Sequence, residues 1–340
     1  MVNAGVQEPA EYPRHIPVLL NDFKSQLQPF SGIWVDGTFG DGGYSKVLLE
    51  SDTRKVIAID RDPSVIPATA LLNEQFPSKF FFSNDRFSNM GKIAESLGCE
   101  SVDGVLLDLG VSSMQIDQAN RGFSFSKDGP LDMRMSSSGL SAFDIVNNFS
   151  ENDLANIIYT FGEERMSRRI ASSIVKERKN KKIDSTKALA LLINNCFPKY
   201  KPLKTNPATR TFQALRIFVN NELEELVEAL EVAERLLCPG GILAVITFHS
   251  LEDRIVKRFI KLKSQTNSQG NRHQPSQSKY KPSFEKFEKN KFSPSEAEVR
   301  SNNRARSAKL RIAKRLNSEL VPIDKNLLGL PIANLGAYSR

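Results

Sequence analysis

The sequence predicts an α/β protein in which a parallel β-sheet covered by helices is interrupted by a segment that is entirely helical. Through the first hundred residues, short apolar runs alternate with amphipathic stretches, the pattern of β-strand–helix–β-strand units. Residues 118–205 contain no convincing strand, and an amphipathic helix and a further buried strand follow them. These observations predict one sheet domain with a helical insertion.

The elements follow from apolar runs bounded by turn residues. Buried strands are expected in the segments 32–40, 55–60, 78–85, 101–110 and 242–250, and a last edge strand in 307–316. Helices are expected at 44–52, after Pro63, near 89–97, 141–159, 163–178 and 185–196, and at 210–237 and 251–263. The Lys/Ser/Gln/Asn-rich stretch from about 264 to 300 lacks periodicity and predicts a mobile loop.

Composition excludes several classes of protein. The 340 residues are 40% hydrophobic and 25% charged, which is ordinary for a globular chain and excludes disorder throughout. No signal peptide and no apolar run of membrane-spanning length is present, so we expect a cytoplasmic protein without a membrane partner. The three cysteines are widely spaced without a C-x-x-C motif, which indicates neither a disulfide framework nor a cysteine metal site.

Positive charge is concentrated near the C-terminus. The net charge is +8, whereas residues 254–315 alone hold 18 Lys/Arg against 4 Asp/Glu, a local charge of +14. Such a concentration is typical of contact with phosphate backbones, and equally of a solvated basic linker. Charge alone does not decide between them.

A glycine-rich turn, DGTFGDGG at 36–43, follows the first predicted strand. Glycines let a ligand approach the backbone, and the next helix supplies free N–H groups. Asp60 ends the second strand, where a carboxylate suits a ribose diol. Phe87 and Asp108 follow the third and fourth strands, at the sheet edge where such folds bind ligands. The pattern favours a nucleoside ligand; a plain tight turn and core packing of Phe87 are the alternatives.

The turn has the form D-x-x-x-G-x-G, which resembles the first motif of class I S-adenosylmethionine methyltransferases. Three longer strings, at 103–135, 206–223 and 240–259, resemble the RsmH (MraW) family of small-subunit ribosomal RNA cytosine methyltransferases. The resemblance implies a class I, Rossmann-like fold and transfer of a methyl group from S-adenosylmethionine. The target it implies is the exocyclic amino nitrogen (position 4) of a cytosine in the decoding region of 16S ribosomal RNA, within the small subunit. The methyltransferase domain would then comprise 1–117 and 206–340, with 118–205 as the RNA-substrate domain.

The resemblance also implies a set of cofactor contacts. Carried over position by position, these are Gly42, Gly43, Tyr44, Asp60, Phe87, Asp108 and Gln115. Three positions depart from the family: Tyr44 stands where His is usual, Met114 where Pro is common, and Asn206 where His often occurs. Because Tyr44 lies at a helix start, we expect it to contribute through its backbone.

Two residues are candidates for catalysis. Asp108 follows the fourth strand, where amino-methyltransferases carry an acceptor for the target amino group, although the usual prolines and aromatic residue are missing here. His249 ends the fifth strand and is the second candidate; a capping or packing histidine is the alternative. No metal site is expected.

The candidate RNA contacts lie in two segments. Arginines recur on one polar face of the helix after residue 206, and two phenylalanines beside arginines follow residue 120. The residues are Arg121, Phe123, Phe125, Arg134, Arg210 and Arg216. Internal packing and a solvated helix face are the alternatives. At the level of function, the alternatives are a ribosome-assembly factor on a methyltransferase scaffold and an amino-methyltransferase acting on DNA or adenine.

Overall fold

A computed structural model describes residues 17–136, 138–198, 206–265 and 281–336. The strands are β1 (Ser31–Asp36), β2 (Asp52–Ile59), β3 (Phe80–Ser83), β4 (Val102–Asp108), β5 (Leu237–Thr247), β6 (Phe284–Phe292) and β7 (Lys309–Arg315). They form one sheet in the order β3-β2-β1-β4-β5-β7-β6. The first five strands are parallel, and β7 runs antiparallel to β5 and β6.

Helices cover both faces of this sheet. They are α1 (Leu20–Leu27), α2 (Gly43–Leu49), α3 (Ile66–Gln75), α4 (Met90–Ser96), α5 (Ser113–Asp117), α6 (Ala142–Asn148), α7 (Glu151–Gly162), α8 (Ser167–Arg178), α9 (Thr186–Asn194), α10 (Ala208–Asn220), α11 (Glu222–Leu236), α12 (Ser250–Lys263), α13 (Glu296–Ser301) and α14 (Lys325–Leu328). Side chains of α1, α2 and α3 pack on one face, and those of α4, α11 and α12 on the other. Because both faces are covered, the central strands are continuous apolar runs, as the sequence predicts.

Helices α6 to α9 form the all-helical segment. Their buried side chains join the same core as the α11 face of the sheet. Helix α10 connects the two parts, since it packs on α7 and continues into α11. No helix in the described ranges is both long and apolar enough to cross a lipid bilayer.

Two predicted helices are each divided in the structure. The helix expected at 210–237 is α10 and α11, because Asn221 takes a left-handed conformation at φ 53°. Asparagine adopts this conformation more readily than most residues. The helix expected at 141–159 is α6 and α7, because Ser150 is extended and caps α7 through the N–H of Asp153.

The C-terminal part departs most from the prediction. The loop expected at about 264–300 contains β6 and α13, so the mobile-loop prediction is wrong for the described residues 281–300; residues 266–280 lie outside the described part. Strand β7 lies between β5 and β6, so it is not the edge strand that the sequence predicts. The CPGG segment at 238–241, which lies between the predicted helix 210–237 and the predicted strand 242–250, is part of β5.

Candidate cofactor and active site

A pocket opens at the carboxyl ends of β1, β2 and β4. Register places Asp36, the last residue of β1, opposite Ala58 of β2 and Leu106 of β4, so these strands end together. The pocket is lined by the glycine turn, by the segments after these strands, by the start of α11 and by Phe248, Glu252, Asn302 and Arg304. This is the sheet edge at which the sequence places the ligand.

The buried side chain of Asp36 holds the glycine turn in place by hydrogen bonds. Its buried carboxylate accepts hydrogen bonds from the Ser45 hydroxyl (2.7 Å) and the Thr38 N–H (3.2 Å). Burial raises the pKa of Asp36 to about 6, although these hydrogen bonds favour its charged form. A Cβ on Gly43 would come within 2.4 Å of Pro17, so a side chain there would clash with a residue that lines the pocket.

Three of the predicted cofactor residues lie in or beside this turn. Gly43 and Tyr44 line the pocket. Gly42 is the N-cap of α2 with φ 77°, and a Cβ there would meet the Phe39 ring at 2.8 Å; it shapes the turn from outside the lining. The Tyr44 side chain is buried, and its hydroxyl donates to the carbonyl of Val18. Only its backbone is thus left to serve a ligand.

Asp60 follows β2 and lines the pocket. One carboxylate oxygen accepts from the N–H of Gly40 (2.9 Å) and the other from the N–H of Asp62 (2.9 Å). Burial raises the pKa of Asp60 to about 6, against the effect of these two hydrogen bonds. The carboxylate joins the glycine turn to the turn after β2, which the sequence does not reveal.

The next two residues hold other parts of the molecule. Arg61 donates to Glu225 (2.5 Å) and to the carbonyl of Asn220 (2.8 Å). Asp62 is buried and accepts from Gln115 (2.6 Å) and Arg121 (2.8 Å). Consecutive side chains after β2 therefore connect the glycine turn, the α10–α11 junction and the start of the insertion.

Gln115 lines the pocket, as predicted for a cofactor residue, but its side chain has internal partners. Its amide donates to Asp62, and its oxygen accepts from the N–H of Ser112 (3.0 Å) within a capping box of α5. Phe87 also lines the pocket, half-buried against the core.

Asp108 ends β4 in the same pocket. Its Oδ1 atom is buried and has no hydrogen-bond partner among the described residues. Burial, with added repulsion from Asp36 and Glu252, raises the pKa of Asp108 well above its usual value. A buried acceptor without a donor is costly, so this atom is suited to a donor carried by a ligand.

His249 does not line the pocket. Its side chain caps α12, with Nδ1 accepting from the N–H of Glu252 (3.4 Å) and Nε2 lying 3.0 Å from the Glu252 carboxylate. The capping alternative thus describes His249, and its neighbour Glu252 is the residue that faces the pocket. Glu252 is not among the residues predicted from the sequence, although the H-x-x-E spacing at a strand end is a capping-box signal.

Glu252 is an ionised carboxylate in a buried setting. Burial raises its pKa, but His249, Arg216 and the N–H of Phe248 (2.7 Å) outweigh burial and hold the pKa below its usual value. Glu222, His249 and Glu252 offer atoms within 4.8 Å of one another, a spacing that a metal ion could use. Both Glu222 oxygens, however, accept from Arg216 (2.8 Å each), so a guanidinium supplies the positive charge and we assign no metal.

Most of the predicted RNA contacts have internal partners. Arg121 is paired with Asp62, and its guanidinium lies 5.7 Å from the Phe123 ring. Phe125 packs edge-on against Phe212, with ring centroids 5.1 Å apart. These observations favour the packing alternative for both phenylalanines.

The remaining arginines differ in exposure. Arg216 is held by Glu222 at the pocket, as described above. Arg134 forms an ion pair with Asp132 (2.7 Å) and stays partly exposed. Arg210 is exposed and donates to the carbonyl of Glu163 (3.2 Å). Arg304, which is not among the predicted RNA contacts, lies at the pocket rim and pairs with Asp117 (2.8 Å).

The residues present suit a nucleoside cofactor with charged and hydroxyl groups. A carboxylate at the end of β2, a glycine turn at the start of α2 and an aromatic ring after β3 surround one pocket. The orphaned Oδ1 of Asp108 adds an acceptor beside them. Nothing in this donor and acceptor set conflicts with S-adenosylmethionine.

Comparison with known proteins agrees with this assignment. The chain is 51% identical over 318 residues to "Ribosomal RNA small subunit methyltransferase H" of Cereibacter sphaeroides strain ATCC 17025, covering 94% of this chain and 95% of that protein. It is 54% identical over 303 residues to the protein of the same name from Rhodopseudomonas palustris strain TIE-1, covering 89% and 91%.

A family model described as the MraW methylase family matches residues 12–316. The match spans both parts of the sheet and the helical segment between them. The strand order confirms the predicted α/β sheet with helices on both faces, and the family match confirms the predicted methyltransferase. S-adenosylmethionine as the methyl donor agrees with a methylase family and with the residues that line the pocket. The chain belongs to the MraW methylase family.

Proposed function

We propose that this protein transfers a methyl group from S-adenosylmethionine to the exocyclic amino nitrogen, position 4, of a cytosine in the decoding region of 16S ribosomal RNA. The relatives' names support ribosomal RNA of the small subunit as substrate. The observation that carries the choice of an amino nitrogen is the buried, unpartnered Oδ1 of Asp108 in the cofactor pocket. We place the reaction in the cytoplasm, on the small subunit.

The chemistry of a cytosine amino group explains why such an acceptor is needed. Its lone pair is delocalised into the ring, so the nitrogen is a poor nucleophile until its N–H groups are held by acceptors. Positioning and charge placement then supply most of the rate. Asp108 would accept from the amino group and turn its lone pair toward the methyl donor.

The cysteines support the same choice. Methylation at ring carbon 5 needs a cysteine that adds to the ring. Cys99 and Cys196 are buried, Cys238 lies at the far end of β5, and none of them lines the pocket. Burial and the Asp103 charge raise the pKa of Cys238, which makes its thiol a weaker nucleophile at neutral pH.

The bound cofactor supplies an electrophilic methyl group on a sulfonium. The chain's own residues then have separate tasks: the glycine turn and Asp60 hold the cofactor, Asp108 orients the amino group, and Glu252 keeps a negative charge nearby. That charge favours a positive charge developing on the amino nitrogen. As the nitrogen is methylated it loses a proton, for which the carboxylates of Asp108 and Glu252 are acceptors.

We further propose that the segment 118–205 forms the RNA-substrate domain. Arg134, Arg210 and Arg304 keep exposed or partly exposed guanidinium groups near the pocket or the insertion. Strand β6 adds the exposed Lys286 and Lys291 at the sheet edge. Such cations suit a phosphate backbone.

The test is incubation of the protein with labelled S-adenosylmethionine and small subunits that lack the modification, followed by mass mapping of the methylated nucleotide. We expect one cytosine carrying the methyl group on its amino nitrogen, and loss of labelling with Asp108→Asn. Binding to subunits without transfer would instead support the assembly-factor alternative. Label on adenine or at ring carbon 5 would overturn the proposal.

A further inference from the structure

Unpartnered polar atoms of the described residues converge on the cofactor pocket. Among lining residues, Arg61 Nε, Asp108 Oδ1 and Glu225 Oε1 are buried and have no hydrogen-bond partner in the described part of the chain. Asp108 has a place in the proposed reaction. The Glu225 oxygen is not explained by anything described above.

Glu225 is held firmly. It lies in the first turn of α11, its side chain is 1% exposed, and its Oε2 accepts from Arg61 Nη1 at 2.5 Å. Arg61 is in turn fixed by the carbonyl of Asn220 (2.8 Å). The carboxyl group therefore keeps one orientation, with Oε2 on Arg61 and Oε1 free.

The position of α11 places this oxygen on one side of the pocket. Helix α11 packs on the short 3-10 turn Phe87–Asn89, and the charge of Arg86 acts on Glu225. Glu225 thus lies on the side of Phe87, the residue expected beside the adenine ring. Asp60, expected at the ribose, reaches the glycine turn instead.

The electrostatics show that the carboxyl group lacks donors. Burial raises the pKa of Glu225 even though Arg61 and Arg86 favour its charged form. One added N–H donor would satisfy Oε1 and stabilise the carboxylate. The adenine part of the cofactor carries one N–H donor group, its exocyclic amino group.

We propose that Glu225 reads the adenine ring of the cofactor by accepting a hydrogen bond from its exocyclic amino group. Arg61 is the positioning residue, because it holds Oε2 and leaves Oε1 to the ligand. The inference rests on S-adenosylmethionine as cofactor and is independent of the RNA target.

The test compares two ligands whose purine rings differ at position 6 and at the adjacent N1. S-adenosylhomocysteine carries the amino group and an unprotonated N1. S-inosylhomocysteine carries a proton on N1 and an oxygen at position 6, which would face the Glu225 oxygen. Calorimetric titration of the wild-type protein should show at least about tenfold tighter binding of the adenosyl ligand, as expected for a hydrogen bond to a charged group. Equal affinities would overturn the proposal without any variant.

Variants then assign the preference to Glu225. In Glu225→Gln the amide can donate to the inosyl oxygen, so we expect the preference to shrink to about threefold or less, or to reverse. Glu225→Asp keeps a charge for Arg61 but withdraws the oxygen, and should also lose the preference. Glu228→Gln, an exposed site on the same helix, is the matched control and should keep it. If both Glu225 variants kept the wild-type preference, or weakened both ligands equally, the amino group would have another partner.

Discussion

Replacing Asp60 should weaken cofactor binding more than it destabilises the fold. Its carboxylate accepts two backbone N–H groups, from Gly40 and Asp62, and is expected to accept the ribose hydroxyls of the cofactor. Asp60→Ala removes all of these acceptors. Asp60→Asn keeps one carbonyl oxygen and loses the charge.

The two effects have different sizes. Loss of hydrogen bonds to a charged acceptor weakens ligand binding by about 1.5–3 kcal/mol, roughly tenfold to 150-fold in Kd. Gly40 and Asp60 are partly exposed at the pocket, so water can replace the lost acceptor of the Gly40 N–H, whereas Asp62 is buried and its N–H would lose a partner. We therefore expect the free energy of unfolding to fall by no more than about 1–2 kcal/mol.

Titration calorimetry with S-adenosylhomocysteine measures the first effect and thermal unfolding the second. Asp52→Ala, an exposed acid at the other end of β2, is the control and should change neither. Asp60→Asn should bind with an affinity between those of the wild type and Asp60→Ala. A folded Asp60→Ala protein with wild-type Kd would remove Asp60 from the cofactor site.

Four further outcomes are expected. Because the pKa of Asp60 is about 6, cofactor affinity should fall as the pH is lowered through about 6, and Asp60→Asn should flatten this dependence in titrations across that range. Asp108→Asn should lower kcat at least about 100-fold while cofactor Kd stays within about threefold, measured by methylation assay and calorimetry. Glu252→Gln removes a charge that raises the pKa of Asp108, so the acid limb of its kcat–pH profile should move to lower pH; an unmoved limb would refute this coupling. Lys286→Gln with Lys291→Gln should flatten the salt dependence of RNA binding by about 1.4 in slope in filter-binding assays, and an unchanged slope would show that β6 contacts no phosphate.

The sheet was predictable because its central strands are buried on both faces. Runs such as Val105–Leu107 need no partner information to be recognised as strands. Strand β6 is not predicted because its sequence, FEKFEKNKF, separates the phenylalanines by two and then four polar residues and so lacks the alternation of a half-buried strand. Its register also shifts between Lys286 and Lys291. Composition there resembles a solvated linker.

Among the site residues, too, some could be predicted from the sequence and others could not. Positions fixed by strand ends, such as Asp60 and Asp108, follow from the order of the elements and do line the pocket. The environment of Arg121 depends on Asp62, which is far away in the sequence. The environment of Arg216 depends on Glu222, which lies across the junction between α10 and α11. An arginine on a polar helix face gives no sign of such a pair, so a buried ion pair and an RNA contact cannot be told apart from spacing.

The hydrogen bonds of Asn220 limit which segments of this protein can be exchanged with those of a relative. Its side chain accepts from the N–H of Met135 (2.8 Å) and donates to the carbonyl of Met133 (2.7 Å), while its own carbonyl accepts from Arg61. Exchanging residues 118–205 for the helical segment of a relative would therefore cut a network that begins at Arg61, next to Asp60, the residue expected at the cofactor's ribose. A functional hybrid would have to carry Asn220 and the partners of Asp62 together with the transplanted helices, so the exchangeable unit is larger than the insertion itself.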